Sequence, residues 1–130
     1  MDLLADTVFL IDLWREAHVE GRATRFAKDH AEQQIGINWI VAGEFLAGAK
    51  AANQDVDRVQ RFLSRYPLVQ SSPSAIHQYA KIYTDLRSRN QLIGTHDLWI
   101  AASCRSLDLP VVTRNLDEFQ RVSGLKVLGY

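Results

Sequence analysis

The sequence predicts an α/β fold, a three-layer α/β/α sandwich around a mostly parallel central sheet of four to five strands. Short apolar segments of strand length alternate with longer helical segments along the whole chain. Such alternation is typical of parallel sheets that are covered by helices on both faces. The chain of 130 residues contains no internal repeat and no linker, and this length suits one domain. We therefore expect residues 1–130 to form a single domain.

The first predicted elements lie in a nearly continuous apolar run over residues 3–11. Val8 and Phe9 favour a buried strand in this run, and we expect the strand to pass into a helix near Asp12. The polar residues 22–34 contain many helix-forming side chains and predict a second helix.

The middle of the chain alternates in the same way. Residues 36–41 predict a second short strand, and the alanine-rich residues 42–52 predict the helix that follows it. Apolar side chains at helical spacing predict another helix over residues 55–66, which Pro67 ends. Residues 68–70 fit a short third strand.

The last part of the chain contains the clearest helical pattern. Ser72 and Pro73 open it, and an apolar stripe continues from Ala75 to Leu86. Gly94 then interrupts the chain. The remaining predicted elements are a helix over 97–107, a fourth strand over 110–113, a short turn or helix around 116–120 and a final edge strand over 125–128.

Composition narrows the classes of function. The 15 basic and 15 acidic residues cancel, which counts mildly against a large nucleic-acid interface and leaves room for a small one. The single cysteine, Cys104, excludes an internal disulfide and is expected to pack in the core. The N-terminal segment lacks the basic region of a signal peptide, and no apolar run reaches the roughly 20 residues that span a bilayer. We expect a cytoplasmic protein.

Acidic and amide side chains recur where the predicted strands end. In an open parallel sheet, ligands bind beyond the carboxyl ends of the strands. One acid lies in the first apolar segment, one follows the second strand, one opens the helix after Gly94, and three side chains follow the fourth strand. These residues are Asp6, Glu44, Asp97, Asn115, Asp117 and Glu118.

Gathering several carboxylates at one edge is costly. Two like charges about 4 Å apart repel by roughly 4 kcal/mol at an effective dielectric of 20. The repulsion is relieved either by raised pKa values or by a bound cation, and oxygen ligands of this kind suit Mg²⁺ or Mn²⁺. For any one of these acids taken alone, helix capping or solvation is the better interpretation. The sequence around the acids must therefore decide whether they form a metal site.

Four blocks of sequence, in order over almost the whole chain, supply that context. They are LADTVFLIDL at 4–13, WIVAGEFLAG at 39–48, IGTHDLWIAA at 93–102, and PVVTRNLDEF at 110–119 with Gly124-Leu125 after it. The blocks resemble the opening Asp-Thr strand, the acidic helix, the Asp-x-x-Ile-Ala-Ala helix and the Thr-Arg-Asn ending of the PIN-domain family. Among its members they are most similar to VapC-type toxins of bacterial toxin–antitoxin pairs.

The resemblance implies a ribonuclease that uses Mg²⁺ or Mn²⁺ held by Asp6, Glu44 and Asp97, with Thr113 nearby to hold a water or a ligand. It also implies an RNA substrate, a cognate antitoxin protein and a homodimer. Two positions depart from the family pattern. Val8 replaces a small polar residue, and Asn115 replaces an aspartate. The fourth metal ligand is therefore open among Asn115, Glu118 and, less favoured, Asp117.

Two other functions are compatible with the sequence. The departures at Val8 and Asn115 leave room for a PIN-like module that binds RNA or a protein partner without cutting. A metal-dependent phosphatase on a similar α/β scaffold would instead hydrolyse small phosphomonoesters.

Several residues near the four blocks have competing interpretations. For Asp12 we favour helix capping or solvation over a role in the site. Thr7 and Thr95 suit ligand orientation and helix capping equally. Arg114 suits either a substrate phosphate or a surface ion pair. We expect His96 to point away from the site, because successive helical residues face different directions.

Two further features suggest contacts with partners. Arg58, Arg61 and Arg65 share one helix face that could follow RNA phosphates, although a solvated face is the preferred interpretation. Trp14 and Phe26 suit an apolar groove for an antitoxin segment, and core packing fits them at least as well.

Overall fold

The computed structural model describes residues 1–130, and its five strands pair in parallel into one sheet. In chain order the strands are β1 (Leu3–Ala5), β2 (Ile35–Asn38), β3 (Leu68–Val69), β4 (Val111–Val112) and β5 (Val127–Leu128). Their order across the sheet is β3-β2-β1-β4-β5. The predicted parallel sheet and the final edge strand are confirmed.

Seven helices connect the strands. They are α1 (Thr7–Arg15), α2 (Arg22–Asp29), α3 (Trp39–Ala51), α4 (Val56–Leu63), α5 (Pro73–Ser88), α6 (Thr95–Leu107) and α7 (Leu116–Phe119). The chain reverses its direction across the sheet after β3. Right-handed crossovers therefore put α1 to α4 on one face and α5 to α7 on the other, which is the predicted three-layer arrangement. None of the helices is both long enough and apolar enough to cross a membrane.

The predicted boundary of the first strand is wrong. β1 ends at Ala5, and α1 begins at Thr7 rather than near Asp12. Asp6 is the N-cap of α1, because its Oδ1 accepts the backbone N–H of Phe9 at 2.8 Å. Val8 and Phe9 are helical, since a short apolar run has no periodicity that separates a strand from a buried helix.

The second strand is also shorter than predicted. Asn38 accepts the backbone N–H of Val41 at 3.0 Å and starts α3 at Trp39, so only the first part of the predicted strand 36–41 is extended. In both places a side-chain cap ends the strand earlier than hydrophobicity suggests. The helix that Ser72 and Pro73 open is confirmed, with Ser72 accepting the backbone N–H of Ala75.

The core lies against both faces of the sheet, and its central strand β1 is fully buried. Cys104 is buried, as predicted. Phe26 belongs to the core cluster, and Trp14 packs on it from the edge with its ring against Phe45 and Phe62. Core packing therefore accounts for Phe26 fully and for Trp14 in part.

Candidate active site

Asp6 stands at the carboxyl end of the central strand, where β1 turns into α1. Its side chain is only 3% exposed. Oδ1 caps α1 through Phe9, and Oδ2 accepts a hydrogen bond of 2.5 Å from the hydroxyl of Thr113. Burial raises the pKa of Asp6, although the hydrogen bonds from Thr113 and Phe9 oppose that rise. The protein thus holds a desolvated carboxylate in a fixed orientation.

Thr113 follows β4, the strand that pairs with β1 through Ala5 and Val112. It is fully buried. Its hydroxyl donates to Asp6 and accepts the backbone N–H of Asn115 at 2.8 Å. The expectation that Thr113 lies beside the acids is met, and its observed contact is with Asp6 itself.

Glu44 reaches the same edge from the second turn of α3. Its Oε1 accepts a hydrogen bond of 2.6 Å from the hydroxyl of Thr7. Its Oε2 lies 2.8 Å from Nδ1 of His96, which donates to it. Thr7 therefore orients an acid of the site, which is one of the two interpretations that its sequence position allowed.

The expectation that His96 points away from the site is wrong. The imidazole is 61% exposed and still contacts Glu44. His96 lies in the first turn of α6, which begins at the carboxyl edge facing α3. Two successive side chains there, those of His96 and Asp97, both reach acids of the site. No sequence signal predicts this contact, because Glu44 and His96 are 52 positions apart.

Asp97 lies in the first turn of α6 and is half-buried. Its pKa is raised to about 7. Burial is the largest cause, and a hydrogen bond shared with the Glu118 carboxyl and the negative charges of Glu118, Asp6 and Glu44 add to it. The positive end of the helix dipole favours an ionised acid at this position. Burial, together with the three other carboxyl groups around Asp97, outweighs that effect.

Of the residues after β4, Glu118 faces these acids. Its Oε2 accepts the side-chain amide N–H of Asn115 at 3.0 Å. Asp117, by contrast, is 87% exposed and pairs with Arg121 on the far side of α7. The structure thus brings together Asp6, Glu44, Asp97 and Glu118, which we call the acidic site. Asn115 borders this site and Asp117 does not.

Asp12 is neither a helix cap nor a solvated group, contrary to the sequence-based preference. Its half-buried carboxylate accepts a hydrogen bond of 2.7 Å from the hydroxyl of Tyr130 and lies 3.5 Å from the guanidinium of Arg114. The positive charge of Arg114 acts in turn to lower the pKa of Asp6. Asp12 and Tyr130 therefore hold an exposed guanidinium beside the acidic site.

The acidic site has the chemistry of a site for a hard divalent cation. Its donors are carboxyl oxygens, and burial and the neighbouring acids together raise the pKa of Asp97, an effect that a bound cation would oppose. No three acidic, histidine or cysteine side chains converge on one point as a finished coordination sphere. Thr7, His96, Thr113 and Asn115 hold carboxylate oxygens instead. A cation would therefore have to compete with these hydrogen bonds.

Known proteins resemble this chain over nearly its full length. The PIN domain family matches residues 3–125. Ribonuclease VapC1 of Rickettsia felis is 31% identical, with 98% of this chain and 96% of that protein covered. Ribonuclease VapC1 of Methanocaldococcus jannaschii is 29% identical over 96% of this chain and 85% of that protein.

Solved structures share the fold. A crystal structure of VapBC2 from Rickettsia felis bound to a DNA fragment from its promoter matches with a TM-score of 0.86 at 23% identity, covering 100% of this chain and 99% of that one. A toxin–antitoxin complex from Klebsiella pneumoniae matches with a TM-score of 0.74 at 27% identity, covering 98% of this chain and 96% of that one.

Proposed function

The chain belongs to the PIN-domain family, as its four sequence blocks predict, and on that premise we propose that it is a metal-dependent ribonuclease and the toxin of a toxin–antitoxin pair. The observation that carries the proposal is that Asp6, Glu44, Asp97 and Glu118 lie near one another at the carboxyl edge of one parallel sheet. The names of the relatives as ribonucleases, and of the matching structures as toxin–antitoxin complexes, support it.

Asp6, Glu44, Asp97 and Glu118 would hold a Mg²⁺ or Mn²⁺ ion. The amide group of Asn115 donates its N–H to Glu118, which leaves its carbonyl oxygen available as a further ligand. When bound, such an ion lowers the pKa of a water and offsets the charge that develops on a phosphodiester. No covalent intermediate with the enzyme is needed.

The protein's own groups orient these acids and the substrate. Thr113 and Phe9 fix both oxygens of Asp6, and Thr7 and His96 fix both oxygens of Glu44. The guanidinium of Arg114 remains exposed beside Asp6 and presents a fork of donors that suits a phosphate. In this proposal Arg114 binds a substrate phosphate, and its ion pair with Asp12 sets its position.

The proposal is tested by incubating the purified protein with single-stranded RNA in Mg²⁺, in Mn²⁺ and in EDTA. We expect cleavage in either metal and none in EDTA. Cleavage that continues in EDTA would refute the role of the metal. p-Nitrophenyl phosphate, a small phosphomonoester, should remain intact under all three conditions, which separates a nuclease from a phosphatase.

One observation favours the alternative of a binding module without catalysis. The acids lack a finished coordination sphere and Glu44 is engaged by Thr7 and His96. Calorimetric titration with Mn²⁺ distinguishes the two functions. A nuclease should bind the ion with release of heat or protons, and a binding module without catalysis should show no saturable binding.

We propose three further features of its biology. A cognate antitoxin protein inhibits the nuclease, the chain forms a homodimer, and it works in the cytoplasm, where the free buried thiol of Cys104 is stable. Growth arrest on expression that Asp6→Asn relieves would test the toxin function, and a dimer mass by light scattering would test the homodimer.

A further inference from the structure

Three arginines on α4 and in the turn directly after it have no acidic partners. Arg58, Arg61 and Arg65 are exposed, and none of them forms an ion pair within 4.0 Å. On a helix, residues three and four apart present their side chains about 5–6 Å from each other. Arg58 and Arg61 are therefore neighbours on α4, and Arg65, in the turn after the helix, adds a third like charge to this group.

These arginines border a cavity. A helix face that is exposed only to solvent does not need such a cavity beside it. They line a recess of about 260 Å³ together with Phe62 of α4 and with Leu13 and Trp14 of α1. No acidic residue lines it. The guanidinium carbon of Arg58 lies 4.5 Å from the centre of the Trp14 ring, so the aromatic face holds this arginine in place.

The recess shares one lining residue with a cavity beside the acidic site. A second cavity of about 250 Å³ is also lined by Trp14, and its wall includes Arg15 and Glu44. Trp14 is thus shared by both cavities. A path of cavity-lining residues therefore runs from Glu44 past Arg15 and Trp14 to the three arginines.

We propose that this path, which we call the arginine track (Arg15, Arg58, Arg61 and Arg65), binds the backbone phosphates of single-stranded RNA outside the acidic site. The inference rests on the proposed ribonuclease function and extends it to how the substrate is held. Proteins that bind single strands combine a basic groove with aromatic side chains, and the track with Trp14 has both features.

RNA fits the track better than an acidic protein segment does. Three guanidiniums around one recess can each contact a phosphate of one strand, whose charge repeats at every nucleotide. Arg15 of the track also lines the same cavity as Glu44, so a strand bound along the track would reach one of the acids proposed to hold the metal. The arginines are exposed, as the sequence-based preference expects, and the proposal assigns RNA as the ligand of this exposed face.

The test measures the binding of a fluorescein-labelled single-stranded RNA of random sequence by fluorescence anisotropy at several salt concentrations. All proteins carry Asp97→Asn, so that the RNA stays intact, and all measurements are made in Mg²⁺. The track variant is Arg61→Gln with Arg65→Gln, which leaves Arg58 on Trp14. The matched control is Lys81→Gln with Arg87→Gln, which removes two exposed charges from α5, a helix that lines neither cavity.

We expect the track variant to bind RNA more weakly and to lose about 1.4 from the magnitude of the slope of log K against log salt, about 0.7 for each of two lost contacts with a single strand. The control should keep the slope of its parent. Arg61→Lys with Arg65→Lys keeps both charges and should restore most of the slope, which excludes misfolding as the cause.

Equal slopes for the track variant and its parent would overturn the inference, and so would a parent without measurable RNA binding. If the track variant binds RNA normally but loses binding to a polyglutamate peptide, the face belongs to an acidic protein segment instead. Failure of the ribonuclease function is separate, since it appears as intact RNA with the unmodified chain in Mg²⁺.

Discussion

The hydroxyl of Thr113 donates a hydrogen bond of 2.5 Å to Oδ2 of Asp6, a residue 107 positions away along the chain. Both side chains are buried. The bond joins the ends of β1 and β4 and fixes the carboxylate that the family resemblance assigns to the metal. Thr113 therefore orients Asp6 in addition to any contact with a water.

Replacing Thr113 by valine keeps the shape of the side chain and removes this donor. Asp6 would then keep a buried oxygen without a partner, which costs about 1–3 kcal/mol of the free energy of unfolding. We expect urea denaturation to show that loss and RNA cleavage to fall. Thr113→Ser keeps the hydroxyl and should restore most of both. A Thr113→Val protein with the stability of the parent would contradict the role of the Thr113 hydroxyl in holding Asp6.

The raised pKa of Asp97 predicts how stability depends on pH in EDTA. The folded-state pKa of about 7 lies above the ordinary value of 3.8, so the protonated acid favours the folded state. Its stabilising contribution is complete below pH 3.8 and is lost as the pH rises to about 7. Denaturation midpoints should therefore fall over this window, and Asp97→Asn should flatten that fall. If the denaturation midpoints of the parent and of Asp97→Asn depended on pH in the same way, the raised pKa of Asp97 would be refuted.

A divalent cation should reverse this destabilisation. At a concentration about 100 times its Kd, an ion that binds only the folded state adds about 2.7 kcal/mol to the free energy of unfolding. Binding near neutral pH should also release protons, because Asp97 must ionise. Thermal melts with and without Mn²⁺, and calorimetry in buffers of different ionisation enthalpy, measure the two effects. A Tm that Mn²⁺ leaves unchanged would contradict the metal site.

The contact between Tyr130 and Asp12 predicts an indirect effect on substrate binding, through the position of Arg114. Tyr130→Phe removes the hydrogen bond of 2.7 Å that holds Asp12 beside Arg114. We expect a loss of about 0.5–1.5 kcal/mol in stability and a raised KM for RNA, since Arg114 would be less well placed for phosphate. Tyr83→Phe, whose hydroxyl makes no hydrogen bond within the protein, is the matched control. An unchanged KM in Tyr130→Phe would separate Arg114 from substrate binding.

Much of the fold could be predicted from the sequence because hydrophobic segments and turn residues are local signals. The parallel sheet, the edge position of β5 and the helix after Ser72 all follow from such signals. The ends of β1 and β2 were misplaced, since the caps Asp6 and Asn38 stop those strands inside apolar runs. Hydrophobicity alone does not indicate where a helix N-cap lies.

The site was predictable only in part for a different reason. Asp6, Glu44 and Asp97 lie in recognisable blocks, so their convergence could be expected. The choice between Asp117 and Glu118 depends on the rotation of the short helix α7, which the sequence does not specify. The contacts of His96 with Glu44 and of Tyr130 with Asp12 depend on tertiary packing between elements that are far apart in the chain.

The most direct test of the acidic site compares RNA cleavage by two isosteric variants, Asp97→Asn and Asp117→Asn, with that of the parent protein in Mg²⁺. Asp97 lies among the other acids, and Asp117 is an exposed acid on α7 that pairs with Arg121. We predict that Asp97→Asn folds, as circular dichroism would show, and loses cleavage, while Asp117→Asn cuts at the parent rate. Full cleavage by a well-folded Asp97→Asn protein would contradict the account.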